Sequence, residues 1–221
     1  MDWLEQLARE LATAHQALAV ILYGSRARGT ARPESDVDLV VVVPDPPEGA
    51  PRRTVRDARA IPGPDGGMVD LDAWIEPIGA LDPRREPGAL RLRGGRALVD
   101  PDGRVPALMA ALDAFHAAGP EPIPDDERAA LKVWGERLLR RIANSAPEFR
   151  VVAAWRRAEL LAQLLPDAFR LRGWWYAGPE PGLAALQARA PELYDAYVAA
   201  LAPDAPLTAL RELVARVMRE R

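Results

Sequence analysis

Leu22-Tyr23-Gly24-Ser25-Arg26-Ala27-Arg28-Gly29-Thr30-Ala31-Arg32-Pro33-Glu34-Ser35-Asp36-Val37-Asp38-Leu39-Val40-Val41-Val42-Val43 is the stretch whose reading decides the fold. The short apolar run Val20-Ile21-Leu22-Tyr23 stops at Gly24, as a buried strand does at a turn. Residues 25–31 predict a short helix, broken by Arg32-Pro33-Glu34-Ser35. Val37 to Val43 is apolar at nearly every position, the pattern of a central strand covered on both faces. Asp36 and Asp38, two positions apart at the start of that strand, leave the same face. Carboxylates held so close resist joint ionisation, and a divalent cation is the usual remedy.

Taken singly, Gly-Ser and Asp-x-Asp are ordinary turn and strand-end chemistry. Their combination is more specific. A strand ends at a glycine, helix-terminal amides and a hydroxyl follow where phosphate binds well, and a carboxylate pair stands on the next strand to hold the phosphate's metal.

Outward from this stretch, Leu4, Leu7, Ala8, Leu11, Ala14 and Leu18 recur at helical spacing, so residues 3–18 predict an amphipathic helix. Pro44, Pro46 and Pro47 end the second strand. Residues 45–66 are rich in Pro, Gly, Arg and Asp and predict a loop with one short helical turn, in which Arg52, Arg53, Arg56 and Arg59 form a solvated basic patch. Met68 to Ile75 alternates, with Val69, Leu71 and Ala73 on one face and Asp70, Asp72 and Trp74 on the other. Residues 89–99 predict extended chain and Val105 to Ala118 a helix, separated by the turn Asp100-Pro101-Asp102-Gly103, which accounts for both aspartates.

Gly119-Pro120-Glu121-Pro122-Ile123-Pro124 cannot continue a helix and marks the boundary between domains at 1–119 and 120–221. Beyond it the periodicity is helical throughout: 125–142, 148–172, 179–190, 191–202 and 206–220. Trp134 and Trp155 read as core positions. Gly173-Trp174-Trp175-Tyr176 reads as helix packing, with base stacking or an acceptor pocket as its alternative use. Lys132, the sole lysine, reads as a surface residue.

Composition bounds the function classes. A net charge of −3 offers no general attraction to nucleic acid, and the lack of a second basic region weighs against that partner. There are no cysteines, so disulfides and thiolate metal sites are excluded. No apolar run reaches the roughly 20 residues of a membrane span, and the expectation is a cytoplasmic protein. The arginine excess reflects coding composition and decides nothing by itself.

Gly24-Ser25, ten intervening residues and Asp36-Val37-Asp38 resemble the signature of the polymerase-β-like nucleotidyltransferase superfamily. Gly-Ser-Arg-Ala-Arg-Gly followed by Ser-Asp-Val-Asp-Leu is similar to its small-molecule and minimal branches, and the helical second half resembles the tails of antibiotic nucleotidyltransferases. The resemblance implies an α+β protein: a mixed sheet with packed helices, then an all-α domain that selects the acceptor. It implies transfer of a nucleoside monophosphate from ATP to a hydroxyl of a small molecule, using two magnesium ions roughly 3.5 to 4 Å apart. Asp36, Asp38 and a third aspartate would hold them. Spacing does not separate Asp70 from Asp72 for that third place; the resemblance favours Asp70. Gly24 would admit the phosphates, Ser25 would donate to them, and Arg26 or Arg28 would neutralise departing pyrophosphate. Some relatives build the site across a homodimer. The alternatives are a protein hydroxyl or an RNA end as acceptor, or a nucleotide-binding protein that keeps the fold without turnover.

Overall fold

Residues 3–32, 34–51, 53–64 and 66–219 are described by a computed structural model, in which the chain divides into two compact units, Met1–Ala118 and Gly119–Arg221. The first unit is built on a five-stranded mixed sheet of order β3-β4-β2-β1-β5, comprising β1 (Ala19–Tyr23), β2 (Val37–Val43), β3 (Val55–Pro62), β4 (Met68–Pro77) and β5 (Arg96–Val99). β2 and β4 run parallel and the other pairs are antiparallel. The period of two assigns residues to faces. Val20, Leu22, Leu39, Val41, Leu71, Ala73 and Ile75 share one core with Leu4, Ala8 and Leu11 of α1 (Trp3–His15). Ile21, Tyr23, Val40 and Val42 share the other with Leu81, Ala89 and Leu92 from two 3-10 turns and with Val105 and Leu112 of α3 (Val105–Ala118). Between α1 and α3 lies one turn of helix, α2 (Gly24–Ala27). Being sandwiched between these layers is why β1 and β2 read as unbroken apolar runs.

Two expectations for this unit are corrected. Residues 55–62, expected as loop, form the edge strand β3, in antiparallel register with β4 and buried only at Ile61. Arginine and aspartate suit such an edge because charge discourages further pairing, and this disguises the strand as loop composition. Residues 89–99 are extended only over β5; Pro87–Leu92 turns as 3-10 helix, its Ala89 and Leu92 fully buried. The 100–103 turn behaves as expected: Asp100 accepts from the backbone N–H groups of Arg104 (2.8 Å) and Val105 (3.0 Å), capping α3.

The second unit is helical: α4 (Asp125–Ala143), α5 (Arg150–Leu171), α6 (Pro179–Arg189), α7 (Pro191–Leu201) and α8 (Leu207–Val217). No strand occurs there among the described residues. Leu160, Leu164, Phe169, Leu186, Leu210 and Leu213 centre its core, each such burial worth about 1.5–3 kcal/mol. Of the 174–176 aromatics, Trp174 and Tyr176 go to packing, meeting the Phe169 ring edge-on at 5.8 and 5.5 Å. Trp134 packs against this core, whereas Trp155 does not; it is 73% exposed, because its place on α5 faces away from the leucine stripe. No described helix is long and apolar enough to cross a membrane.

Candidate functional site

The site grows from the end of β1. Tyr23 is the last strand residue, and Gly24 turns the chain with φ +71, a conformation that favours glycine. A Cβ at Gly24 would lie 2.0 Å from Oδ2 of Asp38, so the absence of a side chain is what lets the turn pass over this carboxylate. Asp38 is in register with Tyr23 on one side and with Asp72 of the parallel strand β4 on the other. Asp36 precedes β2 by one residue and is exposed. Asp38 and Asp72 thus stand side by side at one end of the sheet, with Asp36 next along the chain.

Asp70 lies two residues further out on β4, exposed, and paired in register with Ala60 of the edge strand. The face assignment of Asp70, Asp72 and Trp74 agrees with the alternation, but the neighbour of Asp38 is Asp72.

Electrostatics follow this geometry. Burial, reinforced by the Asp36 and Asp72 charges and opposed by Arg28, pushes the Asp38 carboxyl up to about 6. Asp72 goes the other way: Arg56 of β3 donates Nε–H to Oδ1 at 2.7 Å and a terminal N–H to Oδ2 at 3.0 Å, holding the Asp72 carboxyl below the usual range. The Arg56 guanidinium also lies over the Trp74 ring, 5.2 Å from its centroid. Below this row, burial raises the Tyr23 phenol to about 12, and the Asp38 and Asp72 charges add to the rise. Arg91 lies over the Tyr23 ring at 5.8 Å and pairs with the buried Glu76 at 2.7 Å, so the acid beneath the site is neutralised within the fold.

The two candidate phosphate arginines part company. Arg26 donates to the backbone carbonyls of Asp36 (2.9 Å) and Ser35 (2.5 Å) and so braces the segment that carries Asp36. Arg28 is exposed and close enough to Asp38 to favour its ionised form. Ser25 is half-buried at the start of α2, its carbonyl accepting from Thr30 N–H at 3.0 Å. Of the arginine cluster at 52–59, Arg56 is committed to Asp72 and Arg59 pairs with Asp57 at 3.2 Å; Arg52 lies outside the described residues. Tyr23 beside these carboxylates is what sequence reasoning missed, and Arg56, read there as part of a solvated basic patch that could alternatively face phosphates, instead pairs with Asp72. No period-two signal marked the strand, since Val55 and Asp57 fall on one side of the alternation and Arg56 and Ala58 on the other.

Whether a divalent cation suits these residues turns on the donor set. Carboxylate oxygens are the hard ligands magnesium takes, and a carboxyl raised by burial and then by neighbouring negative charge is relieved by a cation. Among the described residues no three acidic, histidine or cysteine side chains are gathered to hold a metal by themselves. The fit is therefore to an ion held by the Asp36–Asp38 pair and completed by phosphate and water, as magnesium commonly is.

Comparison with known proteins gives two findings and a blank. Residues 4–74, which hold α1, the Gly24 turn, β2 and β4 as far as Trp74, match the family model described as a nucleotidyltransferase domain. Among solved structures, a nucleotidyltransferase-like protein from Exiguobacterium sibiricum is similar over 97% of this chain and 73% of its own, at 15% identity and a TM-score of 0.45. No curated protein matches.

Proposed function

We propose that the protein transfers a nucleoside monophosphate, AMP from ATP, to a hydroxyl of a small-molecule acceptor, a reading supported by the match of residues 4–74 to a nucleotidyltransferase domain. The acceptor oxygen forms a bond to the α-phosphorus. The bond from that phosphorus to the α–β bridging oxygen breaks, its electron pair leaves with pyrophosphate, and the hydroxyl proton passes to a carboxylate. The observation that carries this reading is the alignment of Asp38 with Asp72 on adjacent parallel strands, beside the left-handed turn at Gly24.

Asp36 and Asp38 would hold magnesium, and the third aspartate, Asp72 or Asp70, would complete the second ion's site. The two ions, when bound, neutralise the triphosphate and orient the reacting oxygens. Gly24 keeps the space above Asp38 free of side chain, so the triphosphate reaches the carboxylates. Ser25 donates its hydroxyl to a phosphate oxygen, and Arg28 offsets the charge of departing pyrophosphate. Arg26 positions Asp36 through its two carbonyl contacts and has no direct role at phosphate. Asp72, ionised under Arg56, accepts the acceptor proton at a carboxylate oxygen once Arg56 turns aside.

The test is incubation with magnesium and ATP labelled at the α- or the γ-phosphorus, against hydroxylated small molecules, proteins and RNA. Label carried from the α position alone to a small molecule, and lost in Asp38→Asn, is expected. Label carried from the γ position would identify a kinase and overturn the reading. Transfer to a protein or RNA would retain the chemistry and replace the acceptor.

A further inference from the structure

In the helical unit charge is unevenly spread. Between Arg128 and Arg157 the chain carries eight basic residues and only Glu136 and Glu148 as acids. Where α4 gives way to α5, Arg137, Arg140, Arg141 and Arg156 line one cleft of about 580 Å³ together with Asn144 and Phe149. No acidic residue lines it.

Arginines elsewhere in this unit are employed by the fold. Arg157 donates to the carbonyls of Ala205 (2.9 Å) and Ala200 (2.8 Å), Arg170 pairs with Glu127 at 2.6 Å, and Arg216 pairs with Glu212 at 2.6 Å. In the cleft, Arg140 reaches Glu136 only at 4.0 Å, and the side chains of Arg137, Arg141 and Arg156 make no ion pair or hydrogen bond among the described residues. The negative C-terminal end of α4 accounts for two cations in its last turn, Arg140 and Arg141. It does not account for Arg137 a turn earlier, or for Arg156 on another helix. Four guanidinium groups around one cleft repel each other, and a multivalent anion removes that repulsion while accepting forked hydrogen bonds.

The cleft also has an apolar wall. Phe149 and Val152, which line it, are 56% and 41% exposed. Basic groups beside an exposed aromatic ring suit phosphate joined to a flat or apolar group. The volume falls within the range of small-ligand sites.

We propose that this arginine cleft binds a phosphate-bearing ligand, either a free phosphorylated molecule such as a nucleotide or the phosphodiester backbone of a single RNA strand. This stands apart from the transfer reaction and makes no use of the residues assigned to it.

The experiment uses the full chain and two probes: sodium tripolyphosphate by calorimetry, and a short fluorescein-labelled oligouridylate by anisotropy, at low and moderate salt. Saturable, salt-weakened binding is expected, reduced about tenfold or more in the pair Arg137→Gln with Arg141→Gln and unchanged in Asp38→Asn. Matching melting temperatures of the arginine pair and the parent establish that the variant folds. Tighter binding of the oligouridylate assigns the strand as source, and tighter binding of tripolyphosphate assigns a free phosphorylated molecule. Binding that survives the arginine pair, is lost in Asp38→Asn, or is absent for both probes overturns the proposal, and none of these results bears on the α-label assay.

Discussion

Arg56 holds both carboxylate oxygens of Asp72, at 2.7 and 3.0 Å, and so covers the carboxylate that stands in register with Asp38. The pair joins an edge strand, β3, to the interior strand β4, across a side chain that is 55% exposed on the arginine side. An ion pair so open to solvent is screened by water, so it can order the site and still yield to a cation or a triphosphate.

Removing that competitor should therefore ease metal binding. Arg56→Gln is expected to bind manganese, followed by its electron paramagnetic signal, about two- to threefold more tightly than the parent, a modest gain because the pair is screened by solvent. Weaker manganese binding in Arg56→Gln would mean that the arginine organises Asp72 for the ion instead of covering it.

Asp72 and Asp70 should separate cleanly in kinetics. If Asp72 accepts the acceptor proton, Asp72→Asn lowers kcat by about 10²–10⁴-fold, while Asp70→Asn, exposed and opposite Ala60, stays within a few fold of the parent. The reverse order would place the third carboxylate at Asp70.

Gly24→Ala combines two penalties. A left-handed alanine costs about 1–2 kcal/mol, and its Cβ, 2.0 Å from Asp38 Oδ2, drives that carboxylate out of place. The variant is expected to fold with a melting temperature lowered by several degrees, about what such a cost produces, and to lose ATP binding measured by calorimetry. Undiminished ATP affinity would show that the turn at Gly24 does not face the triphosphate.

Asp38 gives a pH signature. Its folded value of about 6 lies above the ordinary 3.8, so between these values the folded protein binds the extra proton and the group's contribution to stability falls as pH rises. Asp38→Asn should melt above the parent at pH near 7.5, and the gap should close as pH falls towards about 4. Magnesium at neutral pH should narrow the gap by raising the parent alone. A gap that stays constant across pH in differential scanning fluorimetry would rule out the strained carboxylate.

How much of the site was legible in the chain depends on the range over which each feature is decided. Gly24-Ser25 and Asp36-Val37-Asp38 are short-range features: a strand stopped by glycine, and two residues of one strand that share a face by the period of two. The β4 alternation likewise placed Asp70 and Asp72 on one face. That Asp72 is the one in register with Asp38 comes from the parallel pairing of β2 on β4, between residues more than thirty positions apart, which no local pattern encodes. The edge strand was illegible for a related reason: its arginines and aspartates satisfy solvent on both sides, so only its ladder to β4 reveals it.

The sequence by itself determined the order of elements, strands among helices and then helices alone, because apolar periodicity, proline breaks and glycine turns act through neighbours in the chain, while the mixed sheet was implied by the family resemblance. It also determined the glycine–carboxylate combination on which the functional reading rests. The tertiary structure decided which charges meet and which are left over. It joined Arg56 to Asp72, turned Arg26 inward to the carbonyls of Ser35 and Asp36, exposed Trp155, and left the side chains of three cleft arginines without an ion pair or hydrogen bond among the described residues. Charges separated in sequence pair only when register and helix packing bring them within a few ångströms, so their roles are settled by the fold.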